Sequence, residues 1–178
     1  AERAEEGGIV VNHYPMIFGA HAHGARVEGL TLDAAVDDSE GVVEGERSAA
    51  VYLFRCRDCS LRSLRITENP GDAICMGKTS LRAVVEDCET GHNGFYGIHP
   101  GSHSRYATVR RCHIHHNGYD GLYICWGISF SEFTDNVIHH NGQRGFRSGI
   151  CIGHKDTDNL IARNHVYENA KAGIAVRR

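Results

Sequence analysis

Short stretches of alternating apolar and polar residues recur along the chain, and glycines and asparagines separate them. VRRCHIH and FTDNVIH both have a period of two, with β-branched or aromatic residues on one side. This alternation favours short β-strands, and no stretch shows the longer period of an amphipathic helix. The pattern therefore predicts an all-β chain.

The asparagines between these stretches repeat at a regular interval. Asn69, Asn93, Asn117 and Asn141 are spaced by 24 residues, whereas Asn169 follows after 28, so one repeat contains an insertion of four, which we place within residues 143–148. A period in the twenties is typical of a solenoid, in which each strand pairs with the equivalent strands of the neighbouring coils. We predict a parallel β-helix of roughly seven coils, about 24 residues each, which forms a single domain over residues 1–178.

Two further columns describe the interior and the corners of this solenoid. One aliphatic or aromatic column is predicted to fill the core; it contains Val85, Val109, Phe133 and Ile161. The asparagines are interpreted as corner residues that adopt left-handed backbone angles and whose amides bond to the next coil. His92, His116 and His140 precede three of them and are interpreted as turn residues.

Residues 33–48 break the repeat and are predicted to form a projecting loop. The start, AERAEEGG, is a candidate cap, and the final AGIAVRR reads as a strand without a cap after it. An uncapped solenoid exposes backbone and core. This edge could therefore be covered by further coils, by a partner, or by a second copy that meets this chain at the coil ends.

Composition limits the classes of partner. The 178 residues suit one domain with a sizeable core, and a net charge of −3 does not favour nucleic acid. No apolar run approaches the roughly 18 residues that cross a bilayer, so no membrane partner is expected. The chain shows no signal peptide, but one could have been removed, and we expect a secreted or periplasmic location.

The seven cysteines are too few and too scattered for a disulfide scaffold. Cys56 and Cys59 form a C-x-x-C, but a zinc ribbon needs a second pair, so we interpret the cysteines as structural and predict no bound metal. HKDTDN offers Asp156, Asp158 and Asn159 as possible calcium ligands. Asx-turn chemistry is the preferred interpretation of that segment, and no cofactor is predicted.

The stretch GFYGIHPGSHS, residues 94–104, carries the candidate chemistry. Ile98 shares a column with Ile74 and Leu122 and is predicted to point inward, so His99 must point outward. Its column contains Tyr123, and glycines occupy much of the next outward column. We therefore predict a shallow, exposed trough around His99.

YGIHPGSHS resembles the signature of the mannuronan C5-epimerases and related alginate-acting right-handed β-helix proteins, a likeness that extends over about residues 80–178. The resemblance implies a right-handed helix and a lyase or C5-epimerase acting on an acidic polysaccharide. Tyr96 and Pro100 match the family's tyrosine and proline. His99 stands where the family has aspartate, and Gly101 where it has histidine. His103 is the candidate replacement for that imidazole, so Tyr96, His99 and His103 are the predicted catalytic residues.

Seven further residues are predicted to contact substrate. Arginine and lysine side chains can hold a carboxylate, an aromatic ring can stack on a sugar, and the remaining polar groups lie at neighbouring corners. They are Tyr123, Trp126, Asp120, Arg105, Arg147, His154 and Lys155. Packing beneath a loop is an equally good interpretation of Trp126.

Two other functions remain open from the sequence. A glycoside hydrolase would need two facing carboxylates, for which Asp120 and Asp156 are the central candidates. A non-catalytic carbohydrate-binding or assembly module would need no catalytic group at all.

Overall fold

The computed structural model describes residues 4–6, 9–11, 15–34 and 48–177, and these residues form short strands joined by tight corners. The strands are β1 Ala4–Glu6, β2 Ile9–Val11, β3 Ile17–Ala20, β4 Arg26–Glu28, β5 Thr31–Asp33, β6 Val51–Phe54, β7 Ser60–Arg62, β8 Arg65–Thr67, β9 Ile74–Cys75, β10 Val84–Glu86, β11 Glu89–Gly91, β12 Ile98–His99, β13 Thr108–Arg110, β14 His113–His115, β15 Leu122–Ile124, β16 Glu132–Thr134, β17 Val137–His139, β18 Ile150–Ile152, β19 Leu160–Ala162, β20 His165–Tyr167 and β21 Ile174–Val176.

Three parallel sheets form the walls of the solenoid. The seven-stranded sheet contains β3, β6, β9, β12, β15, β18 and β21 in spatial order. The β4 sheet contains β4, β7, β10, β13, β16 and β19, and the β5 sheet contains β5, β8, β11, β14, β17 and β20. Every third strand is thus a neighbour, as a parallel β-helix requires, and the predicted fold class is confirmed.

The predicted number of coils was too high. Each complete coil gives one strand to each sheet, and two of the three sheets contain six strands. The strands β1 and β2 pair with each other in antiparallel fashion and join none of these sheets. Dividing the chain length by the repeat length gives roughly seven coils, but β1 and β2 do not form an additional one.

The aliphatic columns form one continuous core. Ile98 pairs in register with Ile74 and Leu122, and all three side chains are fully buried. Val109 pairs with Phe133 in the same way, which confirms the predicted register. The seven cysteines are buried and none forms a disulfide, in agreement with their structural interpretation. Within the described residues, no apolar helix is long enough to cross a membrane.

The asparagine corners are confirmed in one respect and corrected in another. The Asn93 amide nitrogen donates to Asn117 Oδ1 at 2.9 Å, and Asn117 donates to Asn141 in the same way. The residue with left-handed angles is the preceding histidine, with φ of 59° at His92 and 53° at His116. The asparagine side chain instead bonds to nearby backbone carbonyls: Asn93 Nδ2 donates to the carbonyl oxygens of Gly91 and Ile66.

The insertion lies where the sequence placed it. Gly142 still bonds to Asn117 of the preceding coil, whereas Ser148 bonds to Asp120, 28 residues earlier. The four extra residues therefore fall in the corner before β18. The predicted loop at 33–48 lies mostly outside the described residues, although Asp33 ends β5 and Ser48 is a buried residue.

Candidate functional site

Three of the predicted site residues meet on the outer side of the seven-stranded sheet. The rings of Tyr96 and Tyr123 stack with their centroids 4.0 Å apart and an interplanar angle of 9°. His99 presents its ring edge-on to both, at 5.6 Å from Tyr96 and 5.1 Å from Tyr123. The repeat places them together because β12 and β15 are adjacent in register.

His99 points away from the aliphatic core, but the exposed trough predicted around it is wrong. The residue is only 8% exposed, and its column neighbours Cys75 and Cys151 are fully buried. Strand alternation fixes the side of the sheet on which a side chain lies, but it does not reveal whether corner residues cover that side. The neighbouring aromatic rings cover the imidazole.

Both ring nitrogens of His99 are engaged. Nε2 lies 2.9 Å from the carbonyl oxygen of Cys125, and Nδ1 lies 3.3 Å from Asp72 Oδ2. Because a carbonyl oxygen can only accept, Nε2 carries a hydrogen. Nδ1 faces the Asp72 carboxyl group, so a hydrogen lies between these two atoms and joins them. The ring is therefore fixed in orientation.

Asp72 is a residue of the buried cluster that sequence reasoning missed. The residue is 1% exposed, and its Oδ1 accepts a hydrogen bond from the backbone nitrogen of Tyr96 at 3.2 Å. The signal was present in the repeat, since Asp72, Tyr96 and Asp120 occupy one column at intervals of 24 residues. Two carboxyl groups thus flank the tyrosine in successive coils.

Asp120 is fully buried at the same corner. Its Oδ1 accepts a hydrogen bond from the Ser148 nitrogen at 2.7 Å, while its Oδ2 has no hydrogen-bond partner among the described residues. The nearest cation is the Arg177 guanidinium, 3.8 Å from that oxygen. Burial raises the pKa of the Asp120 carboxyl above its usual value.

The same environment keeps the two stacked phenols protonated. Burial raises the pKa of Tyr96 well above its ordinary value, and the neighbouring Tyr123 and Asp120 raise it further. Burial is also the main cause of the raised pKa of Tyr123, with the Cys125 thiol adding to it. Both groups are therefore neutral proton donors near pH 7, and neither is a phenolate base.

A cleft of about 450 Å³ lies at the corner that follows β6, β9, β12 and β15. Its lining contains three basic side chains, two hydroxyls and an indole: Arg55, Lys78, His103, Thr79, Ser102 and Trp126. Trp126 is 43% exposed and directly follows Cys125, whose carbonyl binds His99. The cleft, which we call the basic cleft, is therefore connected to the buried cluster through one residue.

The remaining predicted residues divide between this region and other surfaces. His154 packs its ring 4.9 Å from that of Trp126 and so borders the basic cleft. Arg147 lies 5.4 Å over the Tyr119 ring, whereas Lys155 and Arg105 are exposed and do not line the cleft. Arg55 and Lys78 were missed, because the repeat does not reveal where long corner side chains extend.

Two side chains of the possible calcium segment, Asp156 and Asn159, accept hydrogen bonds from backbone nitrogens. Asp156 Oδ1 accepts from the Ile128 nitrogen and Oδ2 from the Gly153 nitrogen, both at 2.8 Å. Asn159 Oδ1 accepts from the Ser131 nitrogen at 3.1 Å. Two of these three bonds reach the preceding coil, and none is the bond to the nitrogen two residues further on that defines an Asx turn.

Comparisons with known proteins identify the architecture. Residues 17–178 match the family model described as right handed beta helix region. The A-module of mannuronan C-5 epimerase AlgE6 from Azotobacter vinelandii is similar to 93% of this chain, with 13% identity and a TM-score of 0.58. The A-module of AlgE4 from the same organism aligns with 89% of the chain and 73% of its own length, at 12% identity and a TM-score of 0.32.

The chain spans 56% of the length of the AlgE6 module, and at 13% identity the structural similarity shows a shared fold alone. No curated protein matches the sequence. The family model covers nearly the whole chain, its description agrees with the three parallel sheets, and it supplies the handedness of the coil. The chain therefore belongs to the right-handed β-helix family.

Proposed function

We propose that the protein acts on an acidic polysaccharide as a lyase or a C5-epimerase. One observation carries this proposal: a buried acid–imidazole–phenol cluster adjoins an exposed cleft that holds basic groups and a tryptophan. The similarity to the AlgE6 module, a mannuronan C-5 epimerase, and the YGIHPGSHS stretch support the same class of substrate. Such a polymer also fits the secreted or periplasmic location expected from the sequence.

The basic cleft has the groups that binding a uronate requires. Arg55 and Lys78 place cationic side chains where a sugar carboxylate can pair with them, and arginine can bind both oxygens at once. The half-exposed indole of Trp126 offers an apolar face on which a pyranose ring can stack. A long polymer would extend along the corner from one coil to the next.

The proposed reaction begins with proton removal from C5 of the uronate. The cations of the basic cleft neutralise the carboxylate, which makes that proton more acidic. His103, an exposed imidazole in the cleft, breaks the C5–H bond and receives the proton. Tyr123 then donates its phenolic proton, either to the opposite face of C5 in an epimerase or to O4 as the C4–O4 bond breaks in a lyase.

His99 has a positioning role in this scheme. Its nitrogens are occupied by Asp72 and by the Cys125 carbonyl, so it does not exchange protons with substrate directly. It fixes the rings of Tyr96 and Tyr123, and it also fixes the backbone that leads into Trp126. Tyr96 is the more buried of the two tyrosines and supports the donor.

The test is to incubate the full chain with polymannuronate, polyguluronate and polygalacturonate. Ultraviolet absorbance follows unsaturated ends, and NMR in D₂O follows exchange at C5. We expect one of the two signals, and we expect Tyr123→Phe or His103→Gln to reduce its rate by about 10²–10⁴-fold with polymer binding retained. His165→Gln is the matched control, since His165 is exposed on the β5 sheet and should leave the rate unchanged.

A non-catalytic carbohydrate-binding module is the second candidate, and the engaged nitrogens and low exposure of His99 favour it. In that case the polymers bind, Trp126→Ala weakens binding, and neither unsaturated ends nor C5 exchange develops. That combination of results would reject the enzymatic proposal.

A further inference from the structure

Histidines form an ordered array on the β5 sheet and at the corner that follows it. His115 pairs in register with His139, and their rings stack with centroids 5.4 Å apart. At the corner, the ring of His116 stacks on those of His92 and His140, each at 4.8 Å. A role as solvated turn residues would not explain why histidines occupy the sheet column as well as the corner column.

The two columns bring ring nitrogens face to face. His115 Nδ1 lies 3.0 Å from His116 Nδ1, and His139 Nδ1 lies 2.8 Å from His140 Nδ1 one coil later. Two unprotonated nitrogens at this distance repel each other unless a hydrogen or a cation lies between them. A tetrahedral zinc ion, with Zn–N bonds of about 2.0–2.1 Å, holds its nitrogen ligands roughly 3.3 Å apart, which is close to the observed separation.

Glu89 determines which nitrogen of His115 is available. Its Oε1 lies 3.3 Å from His115 Nε2, so the carboxylate accepts a hydrogen bond from that nitrogen. Nδ1 is then left with a lone pair that faces His116. Histidines that bind metals usually donate their second nitrogen to a carboxylate or a carbonyl in this way.

Gly91 makes room for the same ring. It is paired with His115 in register, and a Cβ atom on it would lie 2.4 Å from His115 Cε1. The imidazole therefore occupies the space above the glycine, between Glu89 and His92.

His92 completes a group of three. His92, His115 and His116 each offer a nitrogen, and the three nitrogens lie within 4.8 Å of one another. The first comes from the corner after β11 and the other two from β14 and its corner, so a bound ion would link adjacent coils. The sequence interpretation treated His92 and His116 as turn residues, and the left-handed angles of both agree with a turn role as well.

We propose that His92, His115 and His116 bind a divalent transition-metal ion of the zinc class, with Glu89 orienting His115 and water at the fourth position. Three imidazoles with one open position form a ligand set that zinc commonly adopts. The ligands lie outside the basic cleft and the buried cluster around His99, so the site does not depend on the proposed polysaccharide activity.

The test uses the full chain without a polyhistidine tag. Zinc is titrated by calorimetry, and cobalt(II) replaces it for absorption spectroscopy. We expect one zinc per chain, a higher melting temperature in its presence, and tetrahedral cobalt bands without the charge-transfer band of a thiolate ligand. A thiolate band would assign the ion to another group, such as Asp72, Cys75 and His99, and would overturn the proposal.

Single substitutions identify the ligands. His92→Gln and His116→Gln should each weaken zinc binding by at least about tenfold, and Glu89→Gln by about 10–100-fold through the loss of orientation. His165→Gln, on the same sheet, and His23→Gln, on another part of the solenoid, should leave the affinity unchanged.

Two results would refute this ligand set. Equal weakening by His165→Gln and His116→Gln would indicate diffuse binding to surface histidines. Retention of zinc by His92→Gln/His116→Gln, together with its loss from His139→Gln/His140→Gln, would place the ion at the next pair. Far-ultraviolet circular dichroism confirms that each variant keeps its strands, so a loss of binding is not mistaken for unfolding.

Discussion

Asp72 joins two parts of the buried cluster through its two carboxylate oxygens. One oxygen holds the backbone of Tyr96, and the other faces the imidazole of His99. A carboxylate with almost no exposure is stable only when its charge is compensated in this way. The arrangement therefore indicates that Asp72 determines the geometry of the site as well as its charge.

We predict that Asp72→Asn lowers the free energy of unfolding by about 1–3 kcal/mol, because it replaces a buried carboxyl group that bonds to both the His99 ring and the Tyr96 backbone. Urea denaturation at pH 7 measures the change. Asp135→Asn is the matched control: it also removes one carboxylate from a pair, with Arg163 at 2.7 Å, but both groups are exposed and a much smaller effect is expected. If Asp72→Asn were as stable as the parent, the Asp72 carboxyl would have to be protonated already.

Individual residues were predictable from the sequence where the repeat controls them. Tyr96, His99 and Tyr123 were placed together because strand alternation and the 24-residue spacing determine their column. The low exposure of His99 could not be predicted, since it depends on aromatic rings that pack across a corner. Arg55 and Lys78 escaped detection for a related reason, because corner side chains follow no period.

At the scale of the element, side chains bond from coil to coil along each sheet. On the β4 sheet, Glu86 of β10 pairs in register with Arg62 of β7 and Arg110 of β13. Its oxygens lie 3.3 Å from Arg62 and 2.6 Å from Arg110, and Arg111 approaches to 2.7 Å. Three cations around one carboxylate connect three successive coils.

This cluster should make stability depend on pH. The hydrogen bond from Arg110 is the main cause that lowers the pKa of Glu86. A lowered pKa in the folded protein means that the stabilisation is present above the ordinary glutamate pKa and is lost as pH falls through the lowered value. We expect Glu86→Gln to cost about 1–3 kcal/mol at pH 7 and almost nothing at pH values below that lowered pKa.

Urea unfolding of parent and variant at pH 7 and at strongly acidic pH measures this difference. Glu132→Gln, an exposed position on the same sheet, is the control and should change stability little at either pH. A cost that is the same at both pH values would show that the Glu86 charge is not the source of the stabilisation.

The strands and corners themselves could be predicted because each element repeats. The spacing of Asn93, Asn117 and Asn141 located the corners, and the amide bonds between them are present. The left-handed residue was assigned one position too late, to asparagine instead of the preceding histidine. Side-chain identity alone does not decide which of two adjacent corner residues takes the unusual backbone angle.

At the scale of the whole molecule, each coil contacts only its neighbours. The side chains at the centre of the described solenoid, such as Ile98 and Leu122, have no exposed surface. Towards both ends of the described residues the burial decreases, and Phe18, Ile174 and Val176 are 61%, 50% and 76% exposed. In such a stack, stability is approximately a sum of coil and interface terms, so it need not be uniform along the chain.

We therefore predict a gradient of amide protection along the solenoid. Amides of β9, β12 and β15 should exchange most slowly, because opening them breaks two buried interfaces, whereas β3 and β21 should exchange first. Hydrogen exchange followed by mass spectrometry at pH 7 measures this for the full chain. Ile98→Ala should accelerate exchange in the coils on both sides of β12, since the cavity weakens both interfaces at a cost of about 2–5 kcal/mol. Equal protection of every coil, before and after this substitution, would mean that the solenoid opens as one unit and that the nearest-neighbour description is wrong.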